Sequence, residues 1–248
     1  MSEIGAWRET SNISAPSEDE IQVWRIPLAE QSGTDTRLKE FLCPEEHDRA
    51  ERFHFIRDQR RFIIRRAALR QLLAVSLRTT PQAVQFELGP HGKPFVSGQI
   101  GADGIRFSCS HSGDWALIAV ARGSNLGVDL EWNRPMTEAE DLAKNFFSPA
   151  EISELANLSP TLKLAGFFNA WTRKEAFVKA IGLGLSYPLN HFSVSLAPDR
   201  PAALLEVTDE IDALKRCTLR SLEVAPNYSA ALVFEGKQKF LKNFTWMR

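Results

Sequence analysis

The sequence predicts an α+β protein made of two similar halves that meet near residues 123–126. Two observations carry this. Two long helical patterns, at 44–77 and 162–181, each follow a β-prone strand and precede a group of further strands. Strands and helices are also grouped, without the strict β-α-β alternation of a doubly wound sheet. A chain of 248 residues accommodates one large domain or two small ones and can bury most of its apolar side chains.

Residues 1–20 are polar and acidic, lack the apolar stretch of a secretory signal, and read as a loose tail. IQVWRIPL at 21–28 reads as a strand, with β-prone Ile21, Val23 and Ile26 and a limit set by Pro27. Pro44, Glu45 and Glu46 suit a helix start, and the 3.6-period stripe of FIIRRAALRQLLAVSL carries that helix to 77. HGKPFV at 91–96 is a turn. IRFSCSHSGDWALIAVAR holds two β-like stretches with polar S-H-S-G-D between them. LGVDLEW at 126–132 is a short alternating strand. Ser148 and Pro149 open a helix as N-cap and first residue. The helix at 162–181 is closed by Gly182 and Gly184. HFSVSL, CTLRSLEV and SAALVFEG supply the last strands. The expected organisation is a tail at 1–20, an N-terminal half at 21–123 and a C-terminal half at 124–248.

The composition excludes several classes. Thirty basic side chains against 31 acidic ones give a formal net charge of −1, without the basic excess of a protein that coats nucleic acid or membrane. The three cysteines, Cys43, Cys109 and Cys217, are far apart, which argues against a disulfide framework or structural zinc and for a cytoplasmic, reducing compartment. No apolar run approaches the roughly 20 residues of a membrane span. The glycine-rich nucleotide loops, the serine-hydrolase elbow and the H-E-x-x-H zinc motif are absent.

Chemistry concentrates in a few clusters. In a strand at 126–132, Asp129 and Glu131 share one face, with Cα atoms about 6.5 Å apart, and can converge on a hard cation such as Mg²⁺. The same alternation also suits an edge strand with a solvated acidic face. In WTRKEAFVKAIGLGL, Trp171, Glu175 and Lys179 share a helix face with Lys174 beside them; they could complete a metal and phosphate site, or form a routine i,i+4 ion pair. His111 in SCSHSGDW could hold a phosphate, Gly92 and Pro94 present Lys93, and a stripe of arginines that includes Arg49, Arg61, Arg65, Arg66 and Arg70 could line an anion pocket or solvate a helix face.

Taken together, these segments resemble the phosphopantetheinyl transferases of the surfactin-synthetase-activating type. FSCSHSGDW resembles the family's SHSG turn, GVDLE its GIDIE strand, FNAWTRKEAFVKAIGLGL its WxxKEAxxK helix and HGKPFV its GKP turn. FLCPEEHDRAERFHF with RDQRRF, FFSPAEISEL and LSYPLNHFSVSL are similar to further segments, in the same order over roughly residues 20–235. The resemblance implies a pseudo-twofold α+β fold with coenzyme A and Mg²⁺ between the halves. It implies Asp129, Glu131 and Glu175 as metal ligands, and Lys174 and Lys179 as phosphate contacts. Lys93, Ser110 and His111 fall to the nucleotide phosphates, and Arg49 to the 3'-phosphate. Glu46 stands where a relative has Lys, so Arg61 is expected to compensate and Glu46→Lys to help binding or be neutral. The implied reaction is attack of an acyl or peptidyl carrier-protein serine on coenzyme A by a monomeric enzyme that releases adenosine 3',5'-bisphosphate. Glu151 or Glu175 would be the base and Lys179 a further catalytic group. The rivals are another Mg²⁺-dependent phosphoryl-transfer enzyme and an inactive carrier-binding module.

Overall fold

The computed structural model describes residues 6–29, 35–98, 104–207, 216–236 and 239–247. In chain order the strands are β1 (Arg8–Thr10), β2 (Glu20–Pro27), β3 (Phe86–Leu88), β4 (Pro94–Val96), β5 (Ile105–Ser112), β6 (Trp115–Arg122), β7 (Leu126–Trp132), β8 (Phe192–Val194), β9 (Leu204–Val207), β10 (Cys217–Ser221), β11 (Tyr228–Glu235) and β12 (Phe240–Trp246). The α-helices are α1 (Asp35–Lys39), α2 (Pro44–Glu51), α3 (Ile56–Leu77), α4 (Ala139–Phe146), α5 (Pro149–Asn157) and α6 (Pro160–Ile181).

One plan is used twice. A strand (β2, then β7) is followed by a 22-residue helix (α3, then α6), a short hairpin (β3–β4, then β8–β9) and an antiparallel pair (β5–β6, then β10–β11). The strand orders agree, β2-β6-β5 in one sheet and β7-β11-β10 in the other. The α+β arrangement with two similar halves is therefore present.

Three apolar cores separate four layers. Trp24, Ile26, Ile118 and Val120 pack with Phe62, Ile63 and Leu72 of α3. Ile21, Val23, Leu117 and Ala119 face Leu126, Val128, Leu130 and Leu232 of the second sheet. Ala231 and Val233 face Phe167, Phe168 and Phe177 of α6. Central strands are thus apolar on both faces, which is why WALIAVAR shows no alternation. Each large side chain buried this way contributes about 1.5–3 kcal/mol.

Four departures from the sequence reading bear on the site. The helical pattern at 44–77 is broken at residues 52–55, where Phe53 turns in against Phe62 with ring centroids 5.3 Å apart. Residues 8–10 form a strand, so the expected tail is ordered there; residues 1–5 lie outside those described. The last strand, β12, inserts between β1 and β2, parallel to both, in the sheet of the first half. Finally, Ser110, His111 and Ser112 extend β5, and the turn itself is Gly113–Asp114.

Candidate active site

The two halves meet where β5 of the first lies beside β7 of the second. Side chains alternate along a strand, so Ser108, Ser110 and Ser112 all project toward β7. Ser108 Oγ accepts from the Val128 N–H (3.1 Å), and Ser112 Oγ accepts from the Trp132 N–H (3.0 Å). Ser110 Oγ donates to Asp129 Oδ1, and Ser112 Oγ to Glu131 Oε2, each at 2.7 Å. Each β7 carboxylate is thus oriented by a hydroxyl from the opposite half. Asp129 is only 4% exposed, which removes the alternative of a solvated acidic face.

Helix α6 covers the other side. Gly127 allows it: a Cβ there would lie 2.1 Å from Ala176 O and 2.4 Å from Ala180 N. The contact of strand and helix backbones brings the Lys179 Nζ to Asp129 Oδ1 (2.6 Å). Glu175 and Lys179 line a cleft of about 330 Å³ with Lys93, Cys109 and Gly182. Burial raises the Glu175 pKa, and repulsion from Asp129 and Glu131 adds to it against the attraction of Lys179. Burial raises the Glu131 pKa too, with Asp129 adding and the Ser112 hydrogen bond opposing.

This donor set suits a hard cation. Asp129 Oδ2 is sealed from solvent and has no hydrogen-bond partner, an orphaned buried acceptor aimed among carboxylates that repel one another. Among the described residues no three acidic, His or Cys groups are already closed around a metal position. The Lys179 ammonium supplies the positive charge at Asp129 instead.

A basic wall adjoins the carboxylates. Cys109 and His111 project from the face of β5 opposite the serines, toward α3. Burial, with the like charges of Arg49, Arg66 and Arg61, pushes the Arg65 pKa down to about 10. Desolvation at the wall, then Arg65, Lys179 and Arg61, holds the His111 pKa down to about 4, although the ring is partly exposed. Desolvation and the neighbouring cations thus favour the neutral ring, which can still donate a hydrogen bond to a phosphate. Arg61 pairs with Asp114 beside Gly113, whose φ of +55° and contact with Tyr228 exclude a side chain. Arg61 Nε is sealed without a partner. Arg49 is exposed, with its guanidinium over the Phe62 ring at 5.1 Å.

Three expected site residues are engaged elsewhere. Lys174 is completely buried, and its Nζ donates to Leu189 O (2.7 Å), Phe192 O (2.5 Å) and Glu151 Oε2 (2.8 Å). All three ammonium protons have acceptors, which leaves none for a phosphate. Glu151, 1% exposed, accepts from the Ser148 N–H through Oε2 and from the Val194 N–H through Oε1, both at 2.8 Å. It caps α5 and ties it to β8, and it has no access from which to take a substrate proton. Glu46 neither faces solvent nor opposes an anion: it is buried and ion-paired with Arg66 and Arg70 (Arg70 Nε at 2.5 Å). Lys93 occupies a middle position, lining the cleft while its Nζ donates to Leu126 O (3.0 Å) and Ala180 O (3.4 Å). Burial, then the nearby Arg106, lowers its pKa to about 8.

The sequence reading named Arg65 only within the arginine stripe and missed Ser112 as a site candidate. The S-x-S-x-S alternation signals Ser112, and the one-turn spacing from Arg61 sets Arg65 apart within the stripe.

Comparison with known proteins places this geometry. A family model described as the 4'-phosphopantetheinyl transferase superfamily matches residues 125–233, and one described as 4'-phosphopantetheinyl transferase, N-terminal, matches residues 32–123. The 4'-phosphopantetheinyl transferase HetI of Nostoc sp. is 39% identical over 186 residues, 75% of this chain and 78% of that one. The chain belongs to the 4'-phosphopantetheinyl transferase superfamily. The transferase is also 33% identical over 196 residues to psf-1 of Bacillus pumilus (79% and 80% of the two chains). It is 30% identical over 207 residues to Sfp of Bacillus subtilis strain 168 (83% and 87%). It is thus a transferase enzyme of the Sfp type. No helix among the described residues is long and apolar enough to cross a membrane.

Proposed function

We propose that the transferase moves 4'-phosphopantetheine from coenzyme A to a carrier-protein serine in the β5–β7–α6 cleft, with Asp129, Glu131 and Glu175 holding Mg²⁺. One observation carries the reading: three carboxylates repel one another, Asp129 has a sealed and unpartnered oxygen, and arginines of α3 lie close to the opposite face of the adjoining strand β5. This pairing of charges suits a cation and an anion together, and a metal with a pyrophosphate supplies both.

The arginine wall receives the phosphates. Arg65 and Arg61, half-buried, offer donors toward the phosphoryl groups, and Arg49 and His111 stand nearer solvent. His111 donates as a neutral ring and gains charge as a phosphate arrives. Lys179 donates to Asp129 and, over a long 3.4 Å each, to Ser110 Oγ and Val128 O; unlike buried Lys174 it lines the cleft, so it can turn from the long contacts to offset charge that grows on the phosphoryl oxygens. Lys93 lines the cleft and holds the start of β7 and the end of α6 together. When bound, Mg²⁺ polarises the phosphoryl oxygens and offsets their charge. Glu175 is the carboxylate that lines the cleft, unlike buried Glu151, so it is the candidate to take the serine proton, directly or through water.

The surrounding assignments are part of the same reading. The enzyme acts as a cytoplasmic monomer on carrier proteins of fatty-acid, polyketide or peptide synthesis; three unpaired cysteines suit a reducing compartment. The halves divide near residue 124, with β12 returned to the first. The test is intact-mass measurement of an apo carrier protein incubated with enzyme, coenzyme A and Mg²⁺. The carrier gains the phosphopantetheine mass, and Asp129→Ala lowers kcat/KM about a hundredfold or more, since metal stabilisation is worth several kcal/mol. Coenzyme A hydrolysis without carrier labelling refutes the transfer. Wild-type turnover and metal dependence in Asp129→Ala refute the ligand assignment.

A further inference from the structure

On the far side of α6 from Glu175 lies a second cleft, of about 850 Å³, between α6, the loop at 198–202 and β10–β11. Its base holds Arg173, which is 3% exposed. Residues 173 and 175 are two positions apart on a helix with 100° per residue, so the two side chains leave α6 in nearly opposite directions. Arg173 Nη1 donates to Ser195 O (2.5 Å) and Ser195 Oγ (3.1 Å), and Nη2 donates to Ser221 Oγ (3.1 Å).

Those acceptors are neutral. No carboxylate of the described residues lies within ion-pair distance of this guanidinium; Glu154, which attracts it at longer range, pairs with Arg200 at 3.7 Å. A buried cation without a counter-charge is costly, and an anionic ligand at this guanidinium would offset that cost. Arg173 also keeps donors in reserve. Its Nε makes no hydrogen bond and is not sealed from solvent, and Nη2 has a second N–H. Nε–H and Nη2–H form the side-on pair that receives a carboxylate or phosphate edge through two parallel bonds. The cleft walls are mixed: Pro198, Pro201, Ala165, Leu222 and Val224 supply apolar surface, and Asp199, Arg200, Arg220 and Glu223 supply charges of both signs.

We propose that this cleft is a second binding site, separate from the transfer site, for a small organic acid whose carboxylate docks on Arg173 and whose apolar body lies along the proline and aliphatic walls. The probe is benzoate, with benzamide as its neutral isostere and phenyl phosphate as the alternative anion. In full-length ¹⁵N-labelled protein, benzoate shifts the Arg173 Nε–H resonance saturably, and benzamide does not. Phenyl phosphate that binds at least tenfold more tightly than benzoate would overturn the carboxylate assignment. Arg173→Gln abolishes benzoate binding.

Because Arg173 is buried and that variant can fail to fold, Ser221→Asp provides an independent test. Its carboxylate reaches Nη2 and supplies the counter-charge from within the chain. It preserves the fold and weakens benzoate at least about tenfold, the scale of one charged hydrogen bond. Glu175→Gln leaves benzoate affinity unchanged, so failure here is distinguishable from failure of the transferase reading. The proposal is overturned if benzoate produces no saturable shift at Arg173, if benzamide binds equally, or if folded Ser221→Asp binds benzoate as the wild type does.

Discussion

Glu151→Gln separates a catalytic carboxylate from a structural one. If Glu151 were the base, the amide would fold normally and turn over slowly. The structure predicts the reverse. Both carboxylate oxygens are occupied, by the N–H groups of Ser148 and Val194 and by the Lys174 ammonium, and the side chains of the ion pair are 2% and 0% exposed. Removing one member of a buried pair leaves the other uncompensated, at about 3–5 kcal/mol. For a chain of this length each kcal/mol lowers Tm by about 2–4 °C, so a fall of roughly 10 °C is expected. The measurements are calorimetric unfolding and kcat per folded molecule at a temperature where both proteins are native. We expect kcat within about threefold of wild type, since the pair lies away from the cleft residues. The double variant Glu151→Gln with Lys174→Met should recover much of the lost Tm, because it removes the stranded ammonium as well. An unchanged Tm together with a hundredfold loss of kcat would refute the structural assignment and restore Glu151 as the base.

Three further outcomes follow from the geometry. Glu46→Lys places a third cation between Arg66 and Arg70, so it should destabilise by at least about 3 kcal/mol in denaturant unfolding rather than improve coenzyme A binding; wild-type stability would overturn this. NMR titration of His111 should give a pKa near 4 in the free enzyme and a higher value with adenosine 3',5'-bisphosphate bound. Because the folded value lies below the ordinary 6.5, His111 carries no penalty above pH 6.5 and a growing one as pH falls toward about 4, and His111→Asn should reduce acid lability across that window; a free-enzyme pKa at or above 6.5 would remove the arginines from its surroundings. Gly127→Ala must push β7 from α6, lowering Tm and kcat together; an active, stable Ala variant would show that the close backbone contact is not required.

The layered architecture was readable because its signals are local. Periodicity marked the two long helices, and β-prone residues marked strands at 21–28 and on either side of the S-H-S-G-D segment. The resemblance identified residue types but not directions. Lys174 and Glu175 are neighbours in sequence, yet adjacent helix positions diverge by 100°, so one enters the core and the other the cleft. Nothing near Glu151 shows that Val194, 43 residues later, supplies a donor to its carboxylate. Glu46 appeared as an intruder in a phosphate site because its partners lie 20 and 24 residues along, on the buried side of α3. His111 was read as part of a polar turn, but the pairing of β5 with β6 runs through it. The strands β1 and β12 were unreadable for the same reason: each is short or polar alone, and their register spans more than 230 residues.

That pairing sets an order of events at the ribosome. Synthesis proceeds from the N-terminus, yet the strand that belongs between β1 and β2 is β12, Phe240–Trp246, made after the whole of the second half's β7–β11. Until it emerges, β2 presents an open edge, and β1 has no neighbour among the described strands. The first half therefore waits, incompletely hydrogen-bonded, while the second is made, and a nascent chain stalled or truncated before residue 240 exposes a pairing surface to other chains. Completion of the first sheet thus depends on the synthesis of the second half.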